Sequence, residues 1–110
     1  MKFTNVIKQW FEKEGGGSLF LPDGWYGRPY DGQHDLTYLS ESDDNLVLTL
    51  SQKLNLHFSG LKSVKVKDRE LIFGPFSKLR FEWKSFGTDV ATGVKEYQSG
   101  EVKIVPTPGK

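Results

Sequence analysis

Apolar and polar residues alternate with two different periods along this chain, and the change from one to the other falls at residues 15–17. Before it, Phe3, Val6, Ile7, Trp10 and Phe11 recur at i, i+3, i+4, i+7 and i+8, which lines them along one face of a helix. Lys2, Lys8, Gln9, Glu12 and Lys13 occupy the rest of its circumference. Gly15, Gly16 and Gly17 end the helix, predicted over 1–14. Amphipathic helices bury their stripe in their own domain, so the expectation is a helix docked on a sheet. A membrane-surface role for the same face is weak, because its three lysines are offset by Glu12 and Glu14.

Beyond residue 17 the period is two. Leu19 and Leu21 alternate with Phe20 in a short strand that stops at Pro22, which has no N–H to donate. Residues 34–42 read as a strand covered in part on both faces, with Leu36 and Tyr38 set against Thr37 and Leu39. The cleanest signal is a hairpin. Leu46, Leu48 and Leu50 alternate with Val47, Thr49 and Ser51, and Leu54, Leu56 and Phe58 alternate with Asn55, His57 and Ser59. Val64 and Val66 continue the pattern, Asp68-Arg69 turns the chain into a strand at 70–73, and Gly74-Pro75 interrupts it. Leu79, Phe81 and Trp83 then face away from Arg80, Glu82 and Lys84. After an irregular loop at 86–93, strands at 94–99 and around Val102 and Ile104 close the pattern, and 106–110 reads as a flexible tail.

Turn signals roughly every 8–12 residues between short alternating runs predict a mainly β, α+β fold. The expected form is a consecutive antiparallel meander of about seven or eight strands over 18–105. Such a sheet bends or closes partly into a barrel, and the N-terminal helix packs on it. A chain of 110 residues makes a single domain, 1–110, with room for a real core. The absence of Cys excludes disulfides, thiol nucleophiles and cysteine zinc sites. Fifteen basic residues against fourteen acidic ones leave no overall field to draw the chain to nucleic acid or an anionic membrane. The short, charge-interrupted apolar runs predict a cytoplasmic protein with no membrane partner.

One stretch does not read as scaffold. Residues 21–35 hold three Gly, two Pro, Trp25, Tyr26, Tyr30, Arg28 and His34 between two apolar segments, far more than a connection needs. Its Asp-Gly pairs at 23–24 and 31–32 are turn chemistry. The spacing of Asp23, Asp31, Asp35, Asp43 and Asp44 fits no calcium loop, so neither a metal nor another cofactor is expected. In a structural role, Trp25, Tyr26 and Tyr30 cap an open end of the core, with Arg28 stacked or paired. In a functional role, Trp25, Tyr26, Arg28, Tyr30 and His34 form a site for a small planar or sugar-like ligand, or for a protein partner.

No catalytic residue is assigned. His34 beside Asp35 is the one acid–base pair an enzyme reading could use, while the alternation turns His57 to solvent. Lys62, Lys65, Lys67, Arg69, Lys78, Arg80 and Lys84 would make a nucleic-acid surface only if their strands were neighbours. The intervening Phe81 and Trp83 point the other way, which argues against that use. The sequence therefore favours a non-catalytic binding or protein-interaction module. The alternatives are a small enzyme using His34 and Asp35, or a self-associating structural subunit, a homo-oligomer whose rings meet at the interface.

Overall fold

The N-terminal stripe winds into α1 (Thr4–Glu14), which ends where Gly15 adopts a left-handed φ of 81° and donates its N–H to the Phe11 carbonyl at 2.8 Å. The computed structural model describes residues 2–26, 33–83 and 93–106. Among these are ten strands: β1 (Ser18–Leu21), β2 (Gly24–Trp25), β3 (Leu36–Ser42), β4 (Asn45–Leu50), β5 (Leu54–Ser59), β6 (Val64–Lys67), β7 (Glu70–Phe73), β8 (Lys78–Trp83), β9 (Gly93–Tyr97) and β10 (Val102–Val105). They pair antiparallel in two five-stranded sheets, β2-β1-β10-β7-β6 and β3-β4-β5-β8-β9. The mainly β fold with one N-terminal helix is as the alternation predicts, bent into two sheets and not closed into a barrel.

The order is not a consecutive meander. β10 lies between β1 and β7, and β5 pairs with β8. The reason is burial: Leu19 and Leu21 of β1 and Leu71 and Phe73 of β7 each need an apolar neighbour, and β10 brings Val102 and Ile104, both fully buried. The strand count also exceeds seven or eight. One of the additions is β2, two residues long and hidden in the sequence behind the Pro22-Asp23 turn.

Two junctions show how the sheets lie on each other. Gly17, just before β1, exchanges backbone hydrogen bonds with His34, just before the edge strand β3. After β1 the turn carries Asp23 to Lys95 and Tyr97 of β9, the opposite edge of the second sheet. At about 3.4 Å per residue along a strand and about 4.8 Å between strands, the run from 17 to 23 and a five-stranded width both come to about 20 Å. β1 therefore runs across the strands of the second sheet. Phe58 of β5 stacks on Phe73 of β7 with centroids 5.2 Å apart, and both sheets contribute to one core.

α1 closes the seam between the edges β3 and β6 and adds Ile7, Trp10 and Phe11 to that core. The Trp10 indole Nε1 donates to the Arg69 carbonyl at 2.8 Å, and Arg69 pairs with Glu14 at 2.7 Å. The start of the helix has no cap from its own sequence. Glu41 of β3 supplies it, accepting from the backbone N–H groups of Lys2 at 2.9 Å, Phe3 at 3.1 Å and Thr4 at 3.1 Å, and from the Thr4 hydroxyl at 2.8 Å. Burial alone would raise the Glu41 carboxyl, but these donors outweigh it and hold the group below its ordinary value.

A pH dependence follows. The carboxyl titrates near about 4.3 in the unfolded chain, so its contribution is complete above that pH and is lost as pH falls through the lowered folded value. Glu41→Gln is expected to destabilise the protein by about 1–2 kcal/mol at pH 7. Urea unfolding should show the gap to the parent narrowing as the pH is taken below 4. A gap independent of pH would remove the charged cap from the account.

Candidate functional site

The alternation along β9 is inverted relative to its hydropathy. Cross-strand register places Leu48, Leu56, Phe81 and Lys95 in one row and Leu46, Phe58, Leu79 and Tyr97 in the next, and the first three members of each row are buried core. Lys95 and Tyr97 thus lie on the face that packs on the first sheet, at its rim where the Lys95 side chain stays half exposed, while Val94 is 48% exposed on the outside. The second seam between the sheets, opposite α1, is in this way polar at one edge.

Asp23 meets these two residues. Lys95 Nζ donates to Asp23 Oδ2 at 3.0 Å and the Tyr97 hydroxyl donates to Oδ1 at 2.9 Å. The hydrogen bond from Lys95, joined by that from Tyr97, holds the Asp23 carboxyl below its usual range despite partial burial. The Tyr97 phenol is pushed up to about 12, by burial first and by the adjacent carboxylate second. Both groups keep their ordinary charge states at neutral pH.

A cleft of about 330 Å³ opens between this cluster and the aromatic residues of both sheets, lined by Leu21, Asp23, Trp25, Tyr26, Phe81, Trp83 and Lys95. Phe81 is 1% exposed and forms its floor. Tyr26 meets Phe81 edge-on at 5.5 Å, and Trp83 stacks on Phe81 at 5.5 Å with the planes 27° apart. Burial raises the Tyr26 phenol. Trp83 pairs in register with Gly93, and a Cβ at 93 would run into the indole. Glycine there lets the ring lie flat across the neighbouring strand. Trp25, at the β2 edge, has its ring against Phe20 at 4.9 Å.

Of the residues singled out from the sequence, Trp25 and Tyr26 line this cleft, and Arg28 and Tyr30 lie outside the described residues. His34 stands behind Tyr26, with ring centroids 6.1 Å apart. It is buried, and its Nδ1 lies 3.1 Å from Ser51 Oγ. Burial, with Lys53 adding to it and Asp35 opposing, lowers the imidazole pKa. Ser51 Oγ lies 3.5 Å from Asp35 Oδ1 on its other side. The order is histidine, serine, carboxylate. A nucleophilic relay needs the histidine in the middle, so these three residues are not arranged as one.

Among the described residues, the basic side chains singled out from the sequence do not form one surface. Lys65, Lys67 and Arg69 belong to the edge of the first sheet, Lys78 and Arg80 to the interior of the second, and Lys84 lies outside the described residues. Arg80 and Lys78 both reach Glu96, at 3.5 and 3.4 Å, and Arg69 is taken by Glu14. His57 is exposed on the outer face as its register requires, with Nε2 3.1 Å from Asn45 Oδ1.

Sequence reasoning missed Phe81, Trp83, Lys95 and Tyr97 as members of a site. The signal available was the clash between Val94 and Lys95 over which of them turns inward, which is undecidable until the strand's neighbour is known. No family model, curated protein or solved structure matches the chain. No helix among the described residues is long and apolar enough to cross a membrane.

Proposed function

We propose that this protein is a non-catalytic binding module whose site is the aromatic cleft between the two sheets. The observation that carries the reading is the inversion of β9, which sends a lysine and a tyrosine into a core row and leaves a valine in solvent. Local rules are broken in this way mostly where function asks for it. An inward lysine also guards an edge strand against pairing with another chain. That task does not need the half-buried Tyr26 and Trp83 beside it. Ring faces, one carboxylate and one ammonium around a preformed cleft of this size are the makings of a small-ligand site.

Titration with indole, followed by tryptophan fluorescence and by amide chemical shifts, tests the cleft as a site. Saturable shifts at Tyr26, Trp83 and Lys95 are expected. Trp83→Ala should weaken binding at least tenfold while costing about 1–2 kcal/mol of stability, since only part of the ring is buried. Tyr38→Ala, on the far face of the second sheet, should leave binding unchanged. Shifts that never saturate, or that fall elsewhere, overturn the assignment.

A further inference from the structure

Resting on the binding reading above, we propose that the ligand class of the cleft is a neutral saccharide, held by one ring face and by a pair of adjacent hydroxyl groups. The rim decides the charge. Asp23 and Lys95 stand 3.0 Å apart with side chains 50% and 52% exposed, so an incoming group meets both at once. A phosphate or carboxylate that approaches Lys95 is repelled by Asp23, and an amine drawn to Asp23 is repelled by Lys95. A ligand without net charge meets neither penalty.

The hydrogen-bonding capacity of the rim narrows the class further. A carboxylate offers about four lone-pair sites. Among the described residues, Lys95 and Tyr97 use one on each Asp23 oxygen and the backbone N–H of Asp23 itself uses a third, which leaves one acceptor position. The Lys95 ammonium carries three protons and gives one to Asp23. The rim therefore offers one acceptor on Asp23 and two donors on Lys95 within a few ångströms. A hydroxyl is donor and acceptor together, and two hydroxyls on neighbouring carbons match such a rim: one donates to the open Asp23 position, and both accept from Lys95.

The wall and floor supply the other half. Tyr26 and Trp83 are half-buried beside the closed ring of Phe81, and the three rings line the cleft together. A sugar ring has one face made largely of C–H groups, which packs on an aromatic surface, while its hydroxyls project around the rim. A flat heterocycle can stack here as well, but it brings at most one in-plane edge to a rim that offers both signs of hydrogen bond at two positions.

The experiment titrates the full chain with maltose, cellobiose and N,N′-diacetylchitobiose, with indole as the flat apolar comparison, read by tryptophan fluorescence and amide shifts. At least one disaccharide is expected to saturate, with shifts centred on Asp23, Trp83 and Lys95. Asp23→Asn is expected to weaken that disaccharide at least tenfold, and Tyr38→Ala, on the far face of the second sheet, to leave it unchanged. Should Asp23→Asn fail to fold, Lys95→Gln carries the same expectation. Saturation by indole with no response to any of the three disaccharides overturns the saccharide proposal and leaves the binding site standing. No saturation by any of the four probes overturns both. A disaccharide whose affinity ignores both rim substitutions overturns the hydroxyl-pair recognition.

Discussion

Replacing Trp10 with Ala is expected to remove about 3–5 kcal/mol of stability, a large share of the roughly 5–15 kcal/mol that holds a domain of this size together. Trp10 is 3% exposed and lies edge-on to Phe11 at 5.0 Å, in the seam that α1 closes. Its deletion leaves a cavity the size of an indole and strands the Arg69 carbonyl, which otherwise accepts from Nε1 at 2.8 Å. Trp10→Phe keeps most of the apolar area and should cost about half as much, chiefly the lost hydrogen bond and incomplete filling. Deleting residues 1–14 removes Ile7 and Phe11 as well and is expected to leave no cooperative unfolding transition. Urea denaturation followed by circular dichroism measures all three. A Trp10→Ala protein within 1 kcal/mol of the parent would mean that the helix is an accessory and not part of the core.

The second large effect is expected at Phe58. It is fully buried, stacked on Phe73 with planes 8° apart and edge-on to Phe76 at 5.5 Å. No other ring contact described above joins β5 to β7, so Phe58 couples the two sheets directly. Phe58→Ala is expected to cost about 3–5 kcal/mol, and Phe58→Leu about 1–2 kcal/mol, because leucine refills most of the volume. The double substitution with Phe73→Ala should cost less than the sum of the two single ones, since each single change already removes the stacking. Strict additivity in that cycle would show that the sheets are held by area alone.

Much of the architecture is readable from the alternation, and the failures have identifiable causes. The β4–β5 hairpin is legible because both strands have one buried face and a short turn pins the register. α1 is legible because five apolar positions share one face. β3 is legible as a strand but its faces are not, because a bulge between Leu36 and Tyr38 adds a residue. That residue, Thr37, lets Leu36 and Leu39 both pack against the core three positions apart, while Tyr38 is 55% exposed. A strict period of two assigns one of the leucines to the wrong face. β10 between β1 and β7 is a pairing of residues 18–20 with 103–105, and no local pattern encodes a partner that distant. Trp25 and Tyr26 stand out from the sequence by composition. Their companions in the cleft come from β8 and β9, where ordinary strand residues acquire a role only through the crossing of the two sheets.

That crossing also governs how the chain reaches its final form. β1 pairs locally with the two-residue β2 and bridges to His34, but its long partner is β10 and its anchor lies on β9, so residues 17–23 have only short-range pairing until residues 93–105 are present. The segment that holds the two sheets together is thus made early and placed late. Folding is expected to be limited by bringing distant segments together, on the millisecond-to-second scale of β proteins rich in non-local pairing. The local hairpin from β4 to β5 is the natural place for the first structure to form. A stalled chain lacking β10 would leave Leu19, Leu71 and their neighbours uncovered along two open strand edges, a form prone to associate with other chains.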